Sequence, residues 1–126
     1  MKITAVSVSS KNLTKSVDVY TLLGFKFDKF SPDKQHLEPE TPDGSARLMI
    51  DTAELVQSIN GDEPKPGNHS GFAIEYDSPA EVNEVAANLA SAGFTVIKAP
   101  WDAFWGQRYA VVQDPDGYKL DLYATL

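Results

Sequence analysis

Two histidines, a late aspartate and a run of aromatic residues have the most to offer chemically. His69 can exchange a proton near neutral pH or bind a metal through an imidazole nitrogen. No partner for it is visible in the sequence, so it is open as a metal ligand, a pocket hydrogen-bonder or a structural strand residue. His36 lies in a polar stretch and receives no role. Asp121 alternates with Leu120 and Leu122, so its carboxylate points away from those apolar neighbours. It reads as a ligand, a polar pocket wall or a solvated strand residue. Trp101, Phe104, Trp105 and Tyr109 fall within nine residues, and Pro100 and Gly106 place the first three near a loop. Loops on a rigid scaffold are where binding residues concentrate. Exposed aromatic faces stack planar or cationic molecules; core packing is the other common fate of such side chains.

Composition narrows the classes that remain. The chain has 126 residues, long enough to bury a core without staples. Hydrophobic residues make up 42% and charged residues 23%, as in ordinary globular proteins. The absence of cysteine excludes disulfides, thiolate metal sites and cysteine nucleophiles. A formal net charge of −7 argues against nucleic-acid binding, which calls for a basic patch. The first residues read as a strand and not as a signal peptide, and no apolar run is long enough to span a bilayer. The expectation is a soluble, cytoplasmic protein with no nucleic-acid or membrane partner.

The elements that must position these residues come in two similar sets. Residues 3–9 alternate as a half-buried strand. Asn12 caps a helix whose apolar stripe is Leu13, Val17, Tyr20 and Leu23, and Gly24 stops it. Residues 25–30 alternate again and predict a second strand. Residues 35–40 predict a third. Pro42-Asp43-Gly44 turns the chain into a fourth at 46–51. Residues 69–76 start the second set. Ser78-Pro79-Ala80-Glu81 then carries a serine cap, a proline at the first helical position and a glutamate three on from the cap. Val82, Val85, Ala86 and Leu89 make the stripe, and Gly93 ends the helix. Strands follow at 94–97, 105–113 and 118–123, the last after Asp114-Pro115-Asp116-Gly117. Leu23-Gly24-Phe25 answers Ala92-Gly93-Phe94, and each half reads strand–helix–strand–strand–strand. The 52–68 stretch between them holds a possible short helix at 53–58 and a stiff Pro64-Lys65-Pro66-Gly67 segment.

At this point the chain resembles the glyoxalase / bleomycin-resistance / extradiol-dioxygenase (vicinal oxygen chelate) superfamily over nearly its whole length. The resemblance is carried by Leu13 to Ser16, Tyr20 and Leu23-Gly24-Phe25, then by His69-Ser70-Gly71-Phe72 and Ala92-Gly93-Phe94. Trp105-Gly106-Gln107-Arg108-Tyr109 and Asp114-Pro115-Asp116-Gly117 leading into Lys119-Leu120-Asp121-Leu122 complete it. It implies an α+β fold of two βαβββ modules with curled mixed sheets around a cleft and helices outside. The expected layout is one domain over 1–126, with module 1 at 1–51, a linker at 52–68 and module 2 at 69–126. It also implies a homodimer.

Metal-dependent members set four His, Gln or Glu ligands in the cleft, two from each module. Here His69 and Asp121 match two of those positions. The first module offers Ala5, and then Leu48 or Met49 depending on the alignment of its hairpin. None of these suits a hard cation. Asp51 or Glu38 substitutes only under a different register. Two donors of four make a poor cage, so the expectation is no metal and no other cofactor. Catalytic residues stay unassigned. The resulting expectation is a small-molecule binding protein that sequesters an aromatic or cationic compound through Phe30, Met49, His69, Trp101, Phe104, Trp105, Tyr109 and Asp121. Arg108 is expected to hold the Asp114 turn or an internal carboxylate. The competing expectation is a divalent-metal-dependent lyase, isomerase or dioxygenase using His69, Asp121 and Glu38 or Asp51.

Overall fold

The computed structural model describes residues 1–31 and 33–126. Among these, seven strands and three helices form two compact units, residues 1–65 and 66–126. The class is α+β, and each unit carries one open mixed sheet.

In the first unit β1 (Ala5–Ser10) leads into α1 (Leu13–Leu22). Asn12 starts that helix, its side chain accepting from the Lys15 N–H at 3.1 Å. Gly24 ends it at φ 110°, a conformation in which a Cβ is strained. The Phe25 N–H then reaches back to the Tyr20 carbonyl at 3.0 Å. β2 (His36–Leu37) and β3 (Arg47–Thr52) follow, and Thr52 caps α2 (Ala53–Asn60). β3 is central, parallel to β1 and antiparallel to β2. Val8, Leu48 and Ile50 are buried on one side of this sheet, along with Leu13, Val19, Tyr20 and Leu23 from the α1 region. The hydroxyls of Ser10 and Ser16 meet at 2.6 Å and tie β1 to α1.

Two expectations fail here. Residues 25–30 do not form a strand, although Phe25 and Phe27 are half-buried and Lys26 and Asp28 exposed. The Glu40 N–H donates to the Lys26 carbonyl at 2.8 Å, but no ladder continues from that bond among the described residues. Alternation proposes a strand; a partner edge makes one. The third strand, expected over 35–40, shortens to two residues for the same reason.

The second unit has the predicted order. β4 (Ser70–Glu75), α3 (Pro79–Ser91), β5 (Thr95–Ala103), β6 (Gln107–Gln113) and β7 (Lys119–Thr125) form a sheet of order β4-β7-β6-β5. Ser78 caps α3 by accepting from the Glu81 N–H at 3.3 Å. The Phe94 N–H returns to the Leu89 carbonyl at 3.0 Å, as Phe25 does to Tyr20. Asp114 is buried, and its carboxylate accepts from the Asp116 and Tyr118 N–H groups at 2.9 Å each, which closes the turn before β7. Val82, Ala86 and Leu89 of α3 are buried, as are Ala110, Val112, Leu120, Leu122 and Ala124 on one face of the sheet. Two strand bounds differ from expectation. β5 runs on to Ala103, so Trp101 is a strand residue, and β6 starts at Gln107, so Trp105 lies in the turn. The long antiparallel β5–β6 pairing carries the ladder past Pro100.

Candidate functional site

The face of the second sheet opposite α3 gathers most of the candidate residues, because period two sends every other side chain there. Cα pairing sets them in rows. Trp101, Tyr109, Tyr123 and Glu75 form one row across β5, β6, β7 and β4. Lys98, Val111, Asp121 and Ala73 form the next. The Trp101 and Tyr109 rings meet edge to face at 5.5 Å, and Tyr109 stacks on Tyr123 at 6.1 Å with 21° between planes. Trp105 folds back from the turn to contact Tyr109 at 5.3 Å and Trp101 at 6.1 Å. Its indole N–H donates to Gln107 Oε1 at 2.9 Å, which fixes the ring. Phe104 packs on Trp105 at 5.0 Å and is almost fully exposed, at 98%.

Asp121 is the acidic end of this face. One carboxylate oxygen accepts from Ser70 Oγ at 2.5 Å and the other from Tyr109 Oη at 2.7 Å. Burial, and then the bond to Asp121, push the Tyr109 phenol up to about 12, so it stays a donor at neutral pH. The arrangement offers a carboxylate beside a broad π surface. Such a pairing attracts planar cations through both Coulomb and quadrupole terms.

The remaining candidates lie elsewhere. His69 is exposed just before β4, and its Nδ1–H donates to the Ser70 carbonyl at 2.9 Å. Its ring lies against Gly67, where an added Cβ would meet Nε2 at 3.5 Å. Ser70, not His69, makes the bond to Asp121. In the first unit, Phe30 is half-buried beside an open depression of about 640 Å³ that Val17, Thr21, Phe25, Phe27 and Lys29 also line. Met49 is half-buried and pairs with Ser7, while Leu48 is buried on the opposite face. Met49, and not Leu48, therefore shares a face with Ala5 and Ser7. Arg108 donates to Asp102, a carboxylate of β5, at 3.1 Å and to Asn83 of α3 at 2.9 Å.

Met49 shares its face with a polar network that the sequence did not reveal. His36 Nδ1 contacts Asp51 at 2.5 Å and Nε2 contacts Glu38 at 2.8 Å. Arg47 makes two bonds to Glu38, at 2.8 and 2.9 Å. The bonds to Glu38 and then Asp51 raise the His36 pKa, and the Arg47 guanidinium holds the Glu38 carboxyl down to about 2. The β2–β3 pairing, which sets His36 opposite Asp51, supplies the missing signal.

These donors do not fit a divalent ion. The two nitrogens of His36 address two different carboxylates, Glu38 is taken by Arg47 and Asp121 by two hydroxyls, while His69 uses only Nδ1, on the Ser70 carbonyl. Among the described residues no group of three or more His, Cys, Asp or Glu side chains is placed to hold a metal ion. No helix among them is long and apolar enough to cross a membrane.

Comparison with known proteins adds the lineage. The family model described as Glyoxalase/Bleomycin resistance protein/Dioxygenase superfamily matches residues 2–122. Among solved structures, a glyoxalase-related enzyme from Fulvimarina pelagi aligns with TM-score 0.83 at 17% identity, covering 99% of this chain and 88% of that one. A glyoxalase/bleomycin resistance protein/dioxygenase from Nocardioides aligns with TM-score 0.71 at 24% identity, covering 100% and 84%. A lactoylglutathione lyase from Agrobacterium tumefaciens aligns with TM-score 0.69 at 16% identity, covering 98% and 92%. At these identities the likeness is one of fold. No curated protein matches the chain.

Proposed function

The chain belongs to the glyoxalase/bleomycin resistance protein/dioxygenase superfamily, and from that premise we propose that it is a binding protein that sequesters a planar, cationic small molecule without a metal. The observation that carries this reading is the face of β5–β7 away from α3, where Tyr109 contacts Trp101, Trp105 and Tyr123 and donates to the carboxylate of Asp121. Mostly apolar surfaces with a few oriented polar groups suit small organic ligands. The donor geometry gives no support to lyase or dioxygenase chemistry, which uses the metal as Lewis acid or oxygen activator. The reading places the protein in the cytoplasm. It includes a homodimer, since both sheets are open and end in edge strands, β1 and β2 in one and β4 and β5 in the other.

The test is equilibrium binding of N-methylquinolinium, a planar permanent cation, to chelator-treated protein, followed by tryptophan fluorescence or calorimetry. Trp101→Ala is expected to weaken binding about tenfold or more, the loss of a stacking anchor worth roughly 1.5–2 kcal/mol. Restoring divalent ions is expected to change nothing. Binding that appears only with added metal, or that ignores Trp101→Ala, contradicts the reading.

A further inference from the structure

The face of Trp101 already holds a cation. Lys98 Nζ lies 4.0 Å from the centroid of the Trp101 ring, and among the described residues its ammonium forms no ion pair. This contact depends on an irregularity in β5. Lys98 and Trp101 are three apart, and a regular strand would put them on opposite faces. The register shows otherwise. Lys98 pairs with Val111 and Trp101 with Tyr109, so three steps on β5 answer two on β6, with shifts on both sides of Lys98. The extra residue is a bulge, and bulges re-aim side chains. Here it turns Lys98 onto the aromatic face, in the row that also holds Val111 and Asp121.

We infer that Lys98 is a built-in competitor: its ammonium occupies the cation position over Trp101, and an incoming planar cation must displace it. Lys98 thereby sets the selectivity of the site. An incoming cation meets like-charge repulsion as well as the loss of the lysine–indole contact, whereas a neutral ring meets only the second. After displacement the ligand keeps the π face of Trp101. It also lies across Val111 from Asp121, two strands and about 10 Å away, where the carboxylate draws a positive charge and the flexible lysine stem can swing to solvent. This inference rests on the aromatic face of the second unit being the ligand site.

The experiment compares wild type, Lys98→Met and Lys98→Arg for binding of N-methylquinolinium and of quinoline, which is uncharged at mildly alkaline pH. Methionine keeps the length of the stem and removes the charge; arginine keeps the charge. Lys98→Met is expected to tighten both probes by roughly two- to fivefold, the worth of the exposed cation–π contact that each must displace, and to tighten the cation further through relief of like-charge repulsion. Lys98→Arg is expected to leave the cation-to-neutral ratio where wild type has it. If wild type binds the cation and Lys98→Met binds it no better, the competitor role is overturned; if both probes tighten equally, the charge selectivity assigned to Lys98 is overturned; in either case the aromatic face stands. If neither wild type nor Lys98→Met binds either probe, the proposed ligand site falls and this inference with it.

Discussion

His36 shows how a single residue can draw several charged groups into one network. Its ring bridges Asp51 and Glu38, so folding raises its affinity for a proton. A raised pKa contributes stability in full below the unfolded value of 6.5, and that contribution is lost as pH rises through the folded one. Glu38 behaves oppositely. Depressed to about 2, it stabilises above its ordinary 4.5 and loses that contribution as pH falls toward the folded value. Both contributions are complete between about 4.5 and 6.5, so resistance to heat from this network peaks in mildly acidic solution. The pair is partly exposed, which keeps the effect small. His36→Gln is expected to flatten the decline in melting temperature above pH 6.5 while leaving the acid limb in place. An unchanged alkaline slope in a melting series across pH would remove His36 from the account. No cue to this network is legible in the sequence, because it depends on which residues β2 and β3 set opposite each other.

Elements were more legible than contacts. Asn12, Ser78, Gly24 and Gly93 act where their chemistry directs, as caps and stops. That follows from local physics, since a helix terminus is settled within a few residues. Ser78→Ala is expected to destabilise the protein by about 1 kcal/mol through loss of the α3 cap, measured by urea unfolding. A change near zero would mean that packing of Val82, Ala86 and Leu89 alone fixes the helix start. Strands are less legible because their partners are distant in sequence. Residues 25–30 had the right alternation and no ladder, while β5 outran its pattern and took Trp101 out of the loop. The aromatic cluster and Asp121 were visible as types and spacing. Ser70, Tyr123 and Lys98 carry no comparable mark in the sequence. Tyr123 follows Asp121 by one strand period, Ser70 is the residue after His69, and Lys98 reaches the face through a bulge that no pattern of alternation announces.

At the scale of the molecule, two units of related order have diverged in what their sheets present. The first carries a closed polar network beside Met49; the second carries the aromatic face with one carboxylate. The family supplies a scaffold that hosts many chemistries, so function has to be argued from the face itself. The most direct test is a two-dimensional NMR titration of chelator-treated, isotopically labelled protein with N-methylquinolinium. The indole N–H signals of Trp101 and Trp105 and the amides around Lys98, Tyr109, Asp121 and Tyr123 are expected to shift together and saturably. Shifts confined to the Phe25–Phe30 region of the first unit, or shifts that begin only when a divalent metal is returned, would contradict the account.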